Sequence, residues 1–201
     1  MESGERGPER APAPPPGRVK VIMLRTLKKW FRNEKGVVAI EFAMVALPFF
    51  MLLMGIIEVS MFYASSIILE GGASEASRLI RTGEAQGTAD PEGDFKTELC
   101  FQVEDLIPCN LIQYEVIVMP NDKFADVANF QPQFDASGNF VPAGFNPGGS
   151  CDVVLIRTVY KYNFMMPFIG NMMNGGVGNN PATLMSTMVI KNEPYTGITS
   201  C

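Results

Sequence analysis

The sequence predicts an α+β protein: one long membrane-spanning helix that continues into a small domain carrying an antiparallel sheet of about three or four strands. Three observations predict it. Val37–Ile57 is a run of 21 apolar residues interrupted by one acid, Glu41, and one proline, Pro48. Beyond it, Glu58–Ala85 keeps a helical period and contains no proline. Further on, three runs rich in β-branched and aromatic residues read as strands.

The apolar run settles the class. As a helix rising about 1.5 Å per residue it is roughly 31 Å long, which matches a bilayer core of about 30 Å. A core helix of a soluble domain rarely stays apolar on all sides for that length. The whole chain has 201 residues and a mean hydropathy of +0.12, too polar for several spans. One transmembrane helix, 37–57, is therefore expected.

Charge orients that helix. Residues 1–36 carry nine basic and four acidic side chains, a net of +5, whereas the rest of the chain carries seven basic and 17 acidic, a net of −10. Arg18, Lys20, Arg25, Lys28, Lys29, Arg32 and Lys35 lie ahead of the run, and the next basic residue after it is Arg78. Positive flanks stay on the cytoplasmic side, so 1–36 is expected in the cytoplasm and the acidic part across the membrane. A basic arm for nucleic acid is the rival reading, but the adjoining span already accounts for the charge. Within that arm, residues 1–22 are rich in proline and charge and cannot bury enough surface to fold. They read as a disordered tail or as sequence ahead of the true start, because Met23 opens a basic stretch that makes a complete leader by itself.

After the span, residues 58–83 are expected to continue the helix with one face buried. The polar side carries Glu58, Ser65, Ser66, Glu70, Ser74, Ser77, Arg78 and Arg81; Val59, Phe62, Tyr63, Ile67, Leu69, Ala73, Ala76, Leu79 and Ile80 fill the gaps. Gly71 and Gly72 each cost about 1 kcal/mol relative to alanine and allow a bend. Gly83, just after Arg81 and Thr82, suits a C-terminal stop.

Residues 84–201 are expected to form the α+β domain, with strands and loops beyond Glu84. The strand candidates are Leu111–Pro120, Asp152–Phe164 and Thr183–Pro194, and Ile156–Tyr162 alternates as one face of an antiparallel sheet would. The long loop Asn121–Ser150 holds Phe124, Phe130, Phe134, Phe140 and Phe145, which are expected to pack onto the sheet. The oily run Phe164–Met173 is too short to span and reads as a short helix closing the core, or else as a contact with membrane or partner. "GGVGNN" (Gly175–Asn180) reads as a turn, being too loose for a phosphate cradle.

All four cysteines, Cys100, Cys109, Cys151 and Cys201, follow the span, where an oxidising compartment is expected. Four cysteines permit three pairings, and sequence does not choose among them. Cys100 and Cys109 enclose only eight residues, which favours a local bridge and leaves Cys151 with Cys201; free buried thiols are the alternative. The chain has no histidine. Nucleophilic triads and histidine-ligated zinc sites therefore cannot be built, and no cofactor, metal or small-molecule substrate is expected.

Glu41, one turn inside the cytoplasmic edge, either snorkels or sits protonated and silent, or it has a function. A carboxylate at membrane depth costs on the order of 3 kcal/mol on insertion scales. It is the fifth residue after the Gly36–Val37 bond, and Phe42 follows it. If that bond is cut, Val37 carries a new ammonium, and a helix puts residues i and i+4 on one face, next to each other.

"GVVAIEFAMVALPFFMLLMGIIEVSMFYASSIILEGGASEASRLIRTGEAQG" resembles the TadE-like proteins of tight-adherence (Flp-type, type IVc) pilus systems. The later segments "FNPGGSCDVVLIRTVYKYNF" and "IKNEPY" resemble the periplasmic part of that family. The resemblance implies a bacterial inner-membrane pseudopilin, cut by a prepilin peptidase between Gly36 and Val37. It implies Glu41 as the charge partner that sets subunit register, Phe42 packing beside it, and Pro48 as a point where the helix bends or melts on leaving the bilayer. The implied partners are the peptidase, other pilins and pseudopilins, and the assembly platform. The implied role is non-catalytic, in assembling a pilus for surface attachment and biofilm formation. The competing readings are an unprocessed, membrane-anchored scaffold or binding module, and an enzyme sited in the acidic domain.

Overall fold

The computed structural model describes residues 36–120, 123–173, 181–195 and 201. The basic leader and the Gly175–Asn180 turn lie outside the described residues.

Helix α1 runs unbroken from Val37 to Arg81, 45 residues with Pro48 inside it. The chain divides into two compact units, 1–53 and 54–201. In the first, α1 presents Val38, Phe42, Met44, Leu47, Phe50 and Leu52 with more than half of each exposed. It is the one helix, among the described residues, long and apolar enough to cross a membrane.

The second unit is an α+β domain. After α1 come a short 3-10 turn (Ala85–Gly87), helix α2 (Pro91–Val103), strand β1 (Ile112–Val118), a long loop, strand β2 (Val153–Tyr162), helix α3 (Pro167–Met173) and strand β3 (Ala182–Lys191). The sheet has three strands in the order β1-β2-β3, antiparallel throughout, with Val116 opposite Ile156 and Ile156 opposite Met188.

Helix α2 corrects the expectation of strands and loops beyond Glu84. Its start is specified locally: the Asp90 carboxylate accepts the Gly93 amide at 3.0 Å, Pro91 takes the first helical position, and Glu92 and Asp94 face the positive end of the dipole. Phe95, Leu99 and Val103, four residues apart, form its buried stripe.

The buried stripe of α1 follows side-chain size more than apolarity. Gly55, Glu58, Ser65, Leu69, Gly72, Ala73, Ala76, Ser77 and Ile80 are buried, while Tyr63 and Ile67 are 57% and 69% exposed. Glu58, Ser65 and Ser77, assigned to the polar side by sequence, thus point inward. Small residues let α2 approach. A Cβ added to Gly72 would lie 2.6 Å from Val103 Cγ1 and 3.3 Å from Gln102 Cβ, whereas one on Gly71 meets nothing within 4 Å. Gly72 therefore serves a close approach, not a break. Ser65 and Ser77 satisfy their hydroxyls on the Met61 and Ser74 carbonyls of their own helix, at 2.9 and 2.7 Å.

Both faces of the sheet are covered. Val116, Val154, Ile156 and Leu184 pack with Leu69, Ala76, Ile80, Phe95 and Leu99 of α1 and α2. On the opposite face Val153, Leu155 and Met119 pack with Val127 and Phe130 of the long loop. The polar positions of β2 are consequently buried as well: Arg157 is 4% exposed and Thr158 fully covered. Arg157 pairs with Glu115, its neighbour across the strands. Arg157 Nη2 donates to the Phe130 carbonyl at 2.7 Å, and the second Glu115 oxygen accepts the Ala143 amide at 2.9 Å. One ion pair thus fastens two points of the loop to the sheet centre. Of the loop's phenylalanines, Phe130, Phe140 and Phe145 pack inward, while Phe124 and Phe134 are 55% and 45% exposed.

Two disulfides close the domain. Cys100–Cys109 ties the end of α2 to the approach to β1, with a sequence separation of 9; Cys151–Cys201 spans 50. On chain entropy alone they are worth about 3 and about 4 kcal/mol.

The packing contrast predicts that Gly71→Ala stabilises the protein by about 1 kcal/mol. Gly72→Ala gains the same propensity but crowds Val103, and should be less stable than Gly71→Ala by about 1–3 kcal/mol in thermal unfolding of the full chain. Arg157→Met should cost about 3–5 kcal/mol by stranding a buried carboxylate, and a second change, Glu115→Met, should recover a good part of that loss.

Candidate functional site

The sequence-derived candidates lie along α1. Gly36 precedes the helix, exposed, with nothing within 4 Å of a Cβ placed on it. Val37 is the first residue of α1. Glu41 is exposed on the same helix, four residues on and about 6 Å along the axis, and Phe42 is 71% exposed beside it. The first turn of α1 contains no acid, so its unpaired amides leave partial positive charge at Val37. A free amine there would add to that charge, and Glu41 is the first acid along the helix. Pro48 lacks an amide, so the Met44 carbonyl has no helical donor, yet α1 continues through both.

A second carboxylate marks the other end of the apolar run. Glu58 is 6% exposed. Its carboxylate accepts the amides of Met165 and Met166, the latter at 3.1 Å to each oxygen. These amides immediately precede α3, where helix N–H groups lack intrahelical partners. Around it, Phe62 meets Tyr162 edge-on at 5.4 Å between ring centroids and stacks on Phe164 at 5.5 Å. Burial pushes the Tyr162 hydroxyl pKa upward, and the Glu58 charge adds to the rise. Sequence reasoning missed this pairing: Glu58 and Met165 are 107 residues apart, and the one local signal is that Glu58 is the first acid after the apolar run.

The segments that carry the resemblance beyond α1 meet at its C-terminal end. Asn192, 1% exposed, donates through Nδ2 to the carbonyls of Pro147 and Gly149 at 2.9 and 2.8 Å. The Glu193 amide donates to the Arg81 carbonyl at 2.8 Å, and their side chains pair at 3.3 Å. Gly83, at φ +81°, has the Tyr195 ring against it; a Cβ there would fall 2.5 Å from Cδ1. "FNPGGSC", "IKNEPY" and "RTG" are therefore one junction, built around the last turn of the helix.

Residues 36–78 match the family model described as TadE-like protein. Over these residues the chain is similar to TadE-like proteins. The match begins at Gly36 and takes in Glu41, Phe42, Pro48 and Glu58, so every carboxylate discussed on α1 falls inside it. No curated protein and no solved structure matches the chain. The matched residues lie almost wholly in the helix that is long and apolar enough to cross a membrane. Among the described residues no cluster of metal-ligating side chains occurs.

Replacing Glu58 by alanine removes the acceptor of two amides, a loss of about 1–3 kcal/mol where it acts. Hydrogen exchange at Met165 and Met166 should accelerate accordingly, with β2 and α2 unaffected.

Proposed function

We propose that the chain is a pseudopilin-like membrane protein that takes part in assembly of a tight-adherence (Flp, type IVc) pilus for surface attachment and biofilm formation. Residues 1–36 are the cytoplasmic leader, 37–57 cross the inner membrane, and the acidic, disulfide-bonded domain is periplasmic. A prepilin peptidase cuts after Gly36, and the new amine at Val37 finds its counter-charge in Glu41, of the same chain or of a neighbour staggered along the helix axis. Phe42 packs beside that pair. Pro48 gives the helix a point of local melting as it leaves lipid for a fibre, where neighbouring subunits replace the lipid against its exposed apolar sides.

The observation that carries this reading is the position of one acid on an otherwise apolar, exposed helix start: Glu41 stands i+4 from the first helical residue, Val37. An acid placed for solubility would not sit inside a membrane-length run, where it costs on the order of 3 kcal/mol. An acid placed to neutralise an amine belongs one turn away from it. Exposure of Gly36 leaves the backbone accessible for a peptidase, and the charge distribution, +5 before the span and −10 after it, supports the orientation. Two bridged cysteine pairs support an oxidising compartment.

Co-expression with the cognate prepilin peptidase should shorten the chain by its leader, and a bulky residue at Gly36, as in Gly36→Phe, should block the cut. Glu41→Gln should be cut normally yet reduce pilus number on electron micrographs by an order of magnitude or so, the size of effect expected when a partly desolvated charge pair of about 1–2 kcal/mol is lost. Unchanged mobility beside an active peptidase would favour the unprocessed scaffold instead.

A further inference from the structure

We propose that the segment Phe164–Met173 is a membrane-surface element: it lies in the headgroup–acyl boundary of the leaflet where α1 emerges, with its methionines directed into lipid. The inference rests on reading Val37–Ile57 as the span and adds a second, peripheral contact with the same bilayer.

Placement comes first. Ile169 of α3 has its Cδ1 3.4 Å from where a Cβ on Gly55 would stand, and Glu58 holds the two amides that lead into α3. Gly55 belongs to the apolar run and Glu58 is the first residue beyond it, about 4.5 Å further along the helix. The segment is thus pinned to α1 at the level where hydrocarbon gives way to headgroups.

Composition agrees with that level. Phe164–Met173 contains no charged residue. Met165 is 89% exposed, Met172 67% and Met173 42%, and Ile56 and Ile57 on α1 are exposed by 56% and 53%. Ile169 is half-buried beside Gly55 and Gly170 is buried against Phe164, so the run that sequence expects to close the core packs inward there while these methionines face outward. At seven residues and roughly 10 Å, α3 cannot span, but it can lie in the interface. Methionine, flexible and polarisable, suits the disordered acyl boundary. Tyr63, 57% exposed and edge-on to Phe62, adds the amphipathic aromatic that concentrates at this depth.

Glu58 completes the arrangement. Backbone N–H groups carried into an apolar layer must find an acceptor within the protein. The buried carboxylate supplies one for both Met165 and Met166, the two amides that lead into α3. Lipid is the occupant because the apolar patch is continuous with the run that the bilayer already surrounds. A second copy of the chain would have to leave Ile56 and Ile57 partly in lipid while covering their neighbours.

The test uses the full chain in phosphatidylethanolamine–phosphatidylglycerol vesicles whose acyl chains are brominated. The single tryptophan is first removed by Trp30→Phe. One reporter is then introduced as Met172→Trp, as Phe50→Trp within the apolar run, or as Phe101→Trp on α2, which is 71% exposed. Met172→Trp should lose roughly half of its emission to bromine, as an indole some 5–10 Å inside the boundary does, and Phe101→Trp should keep its own. Quenching of Phe50→Trp without quenching of Met172→Trp would overturn the proposal and leave the span intact. Blue-shifted but unquenched emission from Met172→Trp would overturn it in favour of a protein partner over α3. If Phe50→Trp is also unquenched, the span reading falls, and this proposal with it.

Discussion

Close packing of α1 against α2 and the sheet, through Gly72, Ala73, Ala76, Ser65 and Ser77, is the constraint on which the rest of the fold depends. The first half of α1 is apolar and exposed on every side, so the helix enters the domain with no inherited distinction between an inner and an outer face. The domain imposes one by size. Where α2 crosses, a glycine lets Val103 and Leu99 reach the helix backbone; where side chains are larger, as at Tyr63 and Ile67, they are turned away. Once α1 is seated, its last turn offers the Arg81 carbonyl to the chain following β3, and the Asn192 side chain gathers the turn before β2. The sheet edges and the loop that covers them follow from that seating.

Three carboxylates show how one side-chain type is used at three dielectric depths. Glu115 sits in the sheet and is neutralised by a guanidinium directly across from it. Glu58 is buried with two amides as partners, dipoles and no formal cation. Glu41 is exposed on the apolar stretch of α1. The first two are satisfied inside the chain; the third has no ion pair among the described residues.

Much of this was legible in sequence, and the remainder was not for identifiable reasons. The long helix announces itself by its apolar length and the three strands by runs of β-branched and aromatic residues. Helix α2 does not, because its stripe is only Phe95, Leu99 and Val103 among polar residues, with Gly93 in its first turn; the Asp90–Pro91 start was the readable signal. The burial of Arg157 was invisible because it depends on a loop folding back over the second face. In the candidate site, Gly36, Val37, Glu41, Phe42 and Pro48 could be listed from spacing alone, since all of their geometry is local to one helix. The role of Glu58 could not, because its partners arrive from the far side of β2.

Neither disulfide includes a residue of α1: one bridges α2 to the start of β1, and the other joins the turn before β2 to Cys201. A tensile load applied along the helix therefore meets no sulfur crosslink between it and the sheet. It is borne in shear by van der Waals contacts at the small-residue stripe, by the Glu58 hydrogen bonds to Met165 and Met166, and by the Arg81 contacts with Glu193. Oxidation hardens the body of the domain while leaving its grip on the helix mechanically soft.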